Sequence, residues 1–421
     1  LNAEFEGTTS FPEDMTPAIY VTGSIDRLAV EDLLRVWPTD LAGGARSWMA
    51  DNIFEGFIGP LGLATDIGPG MLSQDALPEE ALALVFPVDG VTANYMTGLT
   101  LMTELKGDAL LSGNTFQMSV SEANIGPLSA SAGEVFIPNL HTSDPPGDIR
   151  AIVSGSTADV LTLIDMEPLG YPTRFNVEPT DVDGQAEVGL DLTIPMRRDL
   201  DVDDVRIAIT VNATGLGMQL SETRTLSNAR AQYFVDNDHL TGEGTGDLNG
   251  VPLMFTWEEN FSSGDYYSTR VGVRGTLDEG GRERLRLVTP DWMSGPIAVS
   301  ATFLGNEFDF ESAEVRADLT AAQADIDLIN FVKEPGERVS GVGKIDFLDG
   351  GAVTISDMHI EGLGTEILGE FALDDAGRLI SASFPIVRFG ENSNFGLELD
   401  APNEQIPSWR LYGHAMDATR I

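Results

Sequence analysis

GVTANYMTGLTLMTELKGDALLSGNTFQMSVSEANIGPLSASAGEVFIPNL, residues Gly90 to Leu140, is a run of short apolar-polar alternations broken by glycine-bearing turns. Val91, Ala93 and Tyr95 alternate with Thr92 and Asn94, and Phe116, Met118 and Val120 alternate with Gln117, Ser119 and Ser121. A period of two is the mark of a strand with one dry and one wet face. Lys106-Gly107-Asp108, Ser112-Gly113-Asn114 and Asn124-Ile125-Gly126-Pro127 carry residues that accept positive φ or preset a turn, so hairpins are expected at all three. The stretch therefore reads as an antiparallel meander.

Upstream of it, Glu4 to Arg27 reads as an entry strand pair, and Ala29 to Trp37 has helical spacing stopped by Pro38. A second helix is expected behind a Thr39 or Asp40 cap, with Leu41, Ala45, Trp48 and Met49 on one stripe and Gly56 ending it. Downstream, Arg150 to Gly155 reads as a strand, and Thr157 is expected to cap a short helix that closes before Pro168. Alternation returns at Leu190, Leu192 and Ile194 and again at Ile207, Ile209 and Val211. From Ser312 onward the pattern is strand, glycine turn, strand. The charged run between Pro195 and Asp204 suggests a boundary, giving regions 1–200 and 201–421, unless one continuous groove runs through both.

Acidic residues outnumber basic ones 67 to 24, a formal net charge of -43, which repels phosphate backbones and argues against a nucleic-acid partner. There is no cysteine, so disulfides and thiol chemistry drop out. No run reaches the ~20 apolar residues of a membrane-spanning helix. The chain opens at Leu1 with neither Met nor a signal peptide, the look of a processed or excised piece. His141, His239, His359 and His414 are isolated, and no nucleophile elbow, phosphate loop or zinc motif occurs. Gly242 to Asp247 is better read as a hairpin turn than as a nucleotide loop, because no βαβ pattern surrounds it. The Asp-rich turns at Asp181 to Gly184 and Asp236 to Asp238 do not complete a calcium loop. The expectation is no enzyme, no metal and no cofactor. The fold class is all-β, mostly antiparallel, with a few short helices; the apolar faces either meet in a β-sandwich or line an open groove.

Three stretches resemble the AsmA-like superfamily of envelope lipid-transport proteins, close to its YhdP-type and TamB-type members. They are Leu33 to Pro38 followed by Ala45 to Gly56, with its Arg46-x-Trp48 and Asn52-Ile53-x-x-Gly56; Val91 to Leu140; and Val315 to Phe347, with Phe331-Val332-Lys333-Glu334-Pro335-Gly336. The resemblance implies an elongated, curved β-sheet forming an open hydrophobic groove. Such a groove would bind phospholipid acyl chains and move lipid across the periplasm between inner and outer membranes. It also implies attachment to the inner membrane by an N-terminal anchor missing from this sequence, and an outer-membrane partner that stays unidentified. On that basis the groove lining would come from Val91, Ala93, Tyr95, Phe116, Met118, Val120, Leu190, Leu192, Ile194, Ile207, Ile209 and Val211. The rival reading is a non-catalytic β-sandwich module that binds carbohydrate or protein partners.

Overall fold

The computed structural model describes residues 2–36, 43–167, 169–197, 204–261, 266–287, 289–327, 331–390, 393–401 and 408–415. Among the described residues strand accounts for 63% and helix for 12%, so any large binding surface there has to be made of sheet. The chain divides into two compact units, Leu1–Thr214 with Tyr233–Asn237, and Gly215–Gln232 with Asp238–Ile421.

The strands of the first unit are β1 (Ala3–Ser10), β2 (Ala18–Ile25), β3 (Leu28–Ala29), β4 (Ile53–Ile58), β5 (Leu61–Ile67), β6 (Leu82–Ala93), β7 (Met102–Ser112), β8 (Thr115–Ile125), β9 (Leu128–Ile137), β10 (Pro146–Ser156) and β11 (Asp183–Pro195). Their pairings are antiparallel and nearly sequential. β1 pairs with β2, and β2 with β5; β5 and β4 then take successive halves of β6, and β6 to β11 each pair with the next. Residues of both units lie in β12 (Arg206–Ser221) and β13 (Arg224–Asp236).

In the second unit β14 (His239–Leu248), β15 (Val251–Asn260) and β16 (Thr269–Leu277) begin a similar ladder. After β17 (Met293–Ser294) come β18 (Ile297–Asn306), β19 (Asp309–Asp318), β20 (Gln323–Ile326), β21 (Phe331–Lys333), β22 (Ser340–Phe347), β23 (Val353–Gly362), β24 (Thr365–Leu373), β25 (Leu379–Phe389), β26 (Ser393–Asp400) and β27 (Ser408–Ala415). β14, β15, β16, β18, β19 and β22 to β27 pair antiparallel in that order, while β17, β20 and β21 form a small sheet of their own. Among the described residues each unit is thus built on one open sheet ladder, without the two large facing sheets of a sandwich.

The helices are α1 (Val30–Val36), α2 (Gly43–Asn52), α3 (Thr157–Asp165), α4 (Tyr171–Arg174) and α5 (Glu279–Arg284). In the first unit they close one end of the apolar face. Val30 of α1 is buried with Val88, Val91, Leu105, Ala123, Ile125, Leu128, Ala130 and Val153, and Leu33, Met49, Val160 and Leu163 pack against that cluster. In the second unit α5 leads into a smaller cluster of Val251, Leu277 and Leu285.

Several sequence expectations change. Lys106-Gly107-Asp108 is no turn but the middle of β7, because a glycine there lets β8 come close: a Cβ on Gly107 would sit 2.1 Å from the Ser119 carbonyl oxygen. Gly242 to Asp247 lies inside β14 for the same reason, since a Cβ on Gly244 would meet the Arg230 carbonyl at 2.4 Å. The second helix ends at Asn52, and Gly56 belongs to β4. Trp48 is exposed, whereas Met49 packs inward. The α3 cap is Ser156, whose hydroxyl accepts from the Asp159 amide at 3.0 Å, not Thr157. Trp37, Pro38, Thr39, Asp40, Leu41 and Pro168 lie outside the described residues, as does most of the charged run before Asp204.

Candidate functional site

Directly paired residues of an antiparallel sheet share a face, so the registers can be read across the strands as rows. In the first unit one row is Leu84, Leu111, Phe116 and Ile137. The next is Phe86, Ala109, Met118, Val135, Ile149 and Leu192, and the third is Val88, Gly107, Val120, Gly133, Ala151 and Leu190. Strands lie ~4.8 Å apart, so a row over six strands is an apolar strip ~24 Å long. Leu84, Phe86, Leu111, Phe116, Met118, Val120, Val135, Ile137, Ile149, Leu190 and Leu192 are all half-buried, and Phe86, Met118, Val120 and Leu190 also pack against the buried cluster. The same face is fully buried at Ala109 and Val88 within these rows, and at Val153, Val188 and Ala130 toward the helices.

The reverse face has the opposite character. Gln117, Ser119, Ser121, Glu134, Arg150 and Asp191 are exposed there. Arg150 pairs with Asp191 at 3.2 Å, and Lys106 with Glu122 at 2.9 Å, which holds the Lys106 ammonium above its ordinary range.

β-Bulges keep the apolar residues on one side. Val88 pairs with Gly107 but Val91 with Leu105, so three residues of β6 oppose two of β7, and Gly90 takes a φ of 66° at the bulge. Ser121 in β8 and Ser131 in β9 are inserted likewise. Each insertion shifts the alternation by one residue and re-aims the side chains that follow.

Of the twelve residues singled out in the sequence, Phe116, Met118, Val120, Leu190 and Leu192 fall on the open face, and Ile194, paired with Gly147, continues it. Val91 and Ala93 are on that face at its helix-covered end, 4% and 7% exposed. Tyr95 lies beyond β6 and is exposed. On β12, Thr210 lies against Gly189 and Arg206 donates to Thr193 Oγ1 at 2.9 Å, both on the polar side. Ile207, Ile209 and Val211, of opposite parity, therefore share the apolar side with Leu190.

The second unit repeats the arrangement over more strands. Trp257, Val271, Phe303, Ala313, Ile345, Ile355, Phe371, Ala382, Leu399 and Trp409 pair successively from β15 to β27. A parallel row runs Val299, Ala317, Gly341, Ile360, Ile367, Val387 and Phe395. Most of these side chains are half-buried, and Trp409 is exposed. Aromatic rings thicken one end: Phe303 lies 5.4 Å from Phe310 and 6.3 Å from Phe347, and Trp257 is 4.9 Å from Phe308. The reverse face carries ion pairs, among them Lys344 with Asp346 and Glu366 with Arg388, each at 2.7 Å.

Sequence reasoning missed Leu84, Phe86, Val135 and Ile149 and named no residue of the second row set. Their signal was available, since Leu84, Phe86 and Val88 alternate, but Val85 and Pro87 between them blur it. Among the described residues no helix is long and apolar enough to cross a membrane.

A family model described as YhdP protein matches residues 1–411. No curated protein matches the chain.

Proposed function

We propose, from the premise that this chain belongs to the YhdP family of AsmA-like envelope lipid-transport proteins, that its open apolar faces bind phospholipid acyl chains and help move lipid across the periplasm between inner and outer membranes. The observation that carries the reading is the set of uncovered rows. Met118, flanked by Ala109 and Val135, and Ile355, flanked by Ile345 and Phe371, stand half-exposed in long apolar strips while the backs of the same strands carry ion pairs. Contiguous exposed apolar surface on this scale is a liability unless something apolar lies on it. An acyl chain does so at a gain of ~0.8 kcal/mol per methylene removed from water, and a strip open above leaves the headgroup in solvent.

The proposed lining takes the sequence candidates Phe116, Met118, Val120, Leu190, Leu192, Ile194, Ile207, Ile209 and Val211, and adds the facing residues of β6, β7, β9 and β10. Val91 and Ala93 are left to core packing, and Tyr95 to the loop after β6. No bond is made or broken in this activity, so the reading asks for no catalytic group.

Native mass spectrometry of the gently purified protein tests it. Phospholipid adducts, or their appearance after incubation with vesicles, are the expected result. A lipid-free mass with no uptake from vesicles overturns it.

A further inference from the structure

At the aromatic end of the second unit's apolar face sits a carboxylate. Along β15 the inward residues run Leu253, Phe255, Trp257 and then Glu259, which is only 3% exposed. Its Oε2 accepts the Thr269 hydroxyl at 2.7 Å and the Trp257 indole N–H at 3.4 Å. Among the described residues no lysine, arginine or histidine pairs with Glu259. A buried carboxylate with two neutral donors and no cation is incompletely compensated, and a cation brought to it completes the pairing.

The surroundings say which kind of cation fits. Trp257 lies 4.9 Å from Phe308 at an interplanar angle of 44°, and Phe310 stands 6.1 Å from Phe308, so ring faces gather beside the carboxylate. Phe308 is at the tip of the β18–β19 hairpin between Glu307 and Asp309, both exposed. Rings plus carboxylates make a poor setting for a hard divalent ion, which wants several oxygen ligands, and a good one for an organic ammonium, which binds π faces and one or two carboxylates.

We propose that the Glu259 end of this face receives the ammonium of a phospholipid headgroup, with the acyl chains lying along the rows that start at Trp257. The site thus favours zwitterionic, amine-bearing phospholipid over anionic lipid lacking an amine. This inference rests on the lipid-binding reading above and narrows its substrate class.

The test offers the intact chain vesicles of equal parts phosphatidylethanolamine and phosphatidylglycerol and quantifies both in the re-isolated protein by mass spectrometry. The wild type should be enriched in phosphatidylethanolamine by roughly tenfold, the size of one desolvated cation–π or charge-assisted contact. Glu259→Gln, which keeps the shape and can still accept from Thr269, should return the ratio to that of the vesicles. Phe308→Leu, at an exposed hairpin tip, should lower the enrichment without touching Glu259. Lipid uptake with no preference, or a preference that survives both substitutions, overturns this inference and leaves the apolar faces as general acyl-chain binders. Absence of any lipid uptake overturns both readings together.

Discussion

A single negative charge at Met118 separates a lipid-binding face from ordinary packing. Met118 is half-buried, paired with Ala109 on one side and Val135 on the other, and packs against the buried cluster. In Met118→Asp an acyl chain crossing that position loses contact with about three methylenes, ~2 kcal/mol. It also strips water from a carboxylate that has no partner there, ~2 kcal/mol more by the lower estimates for burying a polar group. The sum, ~4 kcal/mol, is roughly a thousandfold in local occupancy. Without lipid the half-buried aspartate keeps part of its hydration, and folding loses the contacts of Met118 with its row neighbours and with the buried cluster, about 1 kcal/mol. For a unit of this size that is a fall in melting temperature of ~2–4 °C. Crosslinking from vesicles carrying a photoactivatable acyl chain reads the first quantity and thermal melting by circular dichroism the second. Ser119→Asp, one residue along on the polar face, is the control and should crosslink like wild type. If Met118→Asp also crosslinks like wild type while folded, the face carries no lipid.

Other consequences are more local. Lys333 is 3% exposed and its ammonium donates to the carbonyls of Thr320, Ala322 and Glu334 at 3.2, 2.7 and 3.3 Å. Lys333→Met leaves those acceptors unmatched and should loosen the small sheet by ~2–4 kcal/mol, seen as faster amide exchange over Phe331–Lys333; unchanged exchange refutes the clamp. Gly56 has a φ of 113°, and a Cβ there would lie 2.6 Å from the Val91 Cα, so Gly56→Ala should cost ~2–3 kcal/mol and lower the melting temperature by ~4–10 °C. Bonds from the Arg378 amide and side chain hold the Asp374 carboxyl below the usual carboxylate range. A lowered pKa means the β24–β25 turn is tightest above the ordinary value of 3.8 and loosens as the pH falls below it, so Asp374→Asn should remove the acid-dependent part of amide exchange at Ala376 and Arg378.

How much of this was legible beforehand depends on the strand. β8 reads cleanly because an open sheet keeps one face wet, so Phe116, Met118 and Val120 alternate with Gln117, Ser119 and Ser121. Leu190 and Leu192 alternate with Gly189 and Asp191 for the same reason. β6 reads poorly because Leu84 to Val88 is apolar on both faces, and Gly90 marks a bulge where the sequence suggests an end. Glycine is ambiguous in principle: at Gly113 it serves a turn, with φ of 54°, while at Gly107 it admits the next backbone, and composition cannot separate the two uses. Which end of the face the helices cover is set by Val30, Val160 and Leu163 meeting Val91 and Val153, contacts too distant in sequence for periodicity to reveal. Glu259 was invisible among 67 acids because its burial, not its type, distinguishes it.

The bulges supply the sharpest test of the face itself. Phe116, Met118 and Val120 have even numbers, yet Ala123 and Ile125 beyond them are odd, and all five point to the same side. A strict period of two would send Ala123 and Ile125, which are 0% and 8% exposed, to the polar back. Ser121 resolves the conflict: it has no partner on β7, where Lys106 pairs with Glu122 and Gly107 with Val120. Deleting Ser121 should force a choice, since either the open rows keep their side and the covered core loses Ala123 and Ile125, or the core holds and Phe116, Met118 and Val120 turn outward. Expelling Ile125 alone costs ~2–3 kcal/mol, and the paired Leu128 would lose its partner as well, so a loss on the order of 5 kcal/mol is expected. Ser121→Ala, which keeps the chain length, should be nearly silent, because the hydroxyl is exposed and makes one bond of 3.2 Å to the Lys106 carbonyl. Melting temperatures of the two variants decide the matter. If the deletion melts with the substitution, the inserted serine does not set the phase of the strand, and the open and covered ends are not two halves of one face.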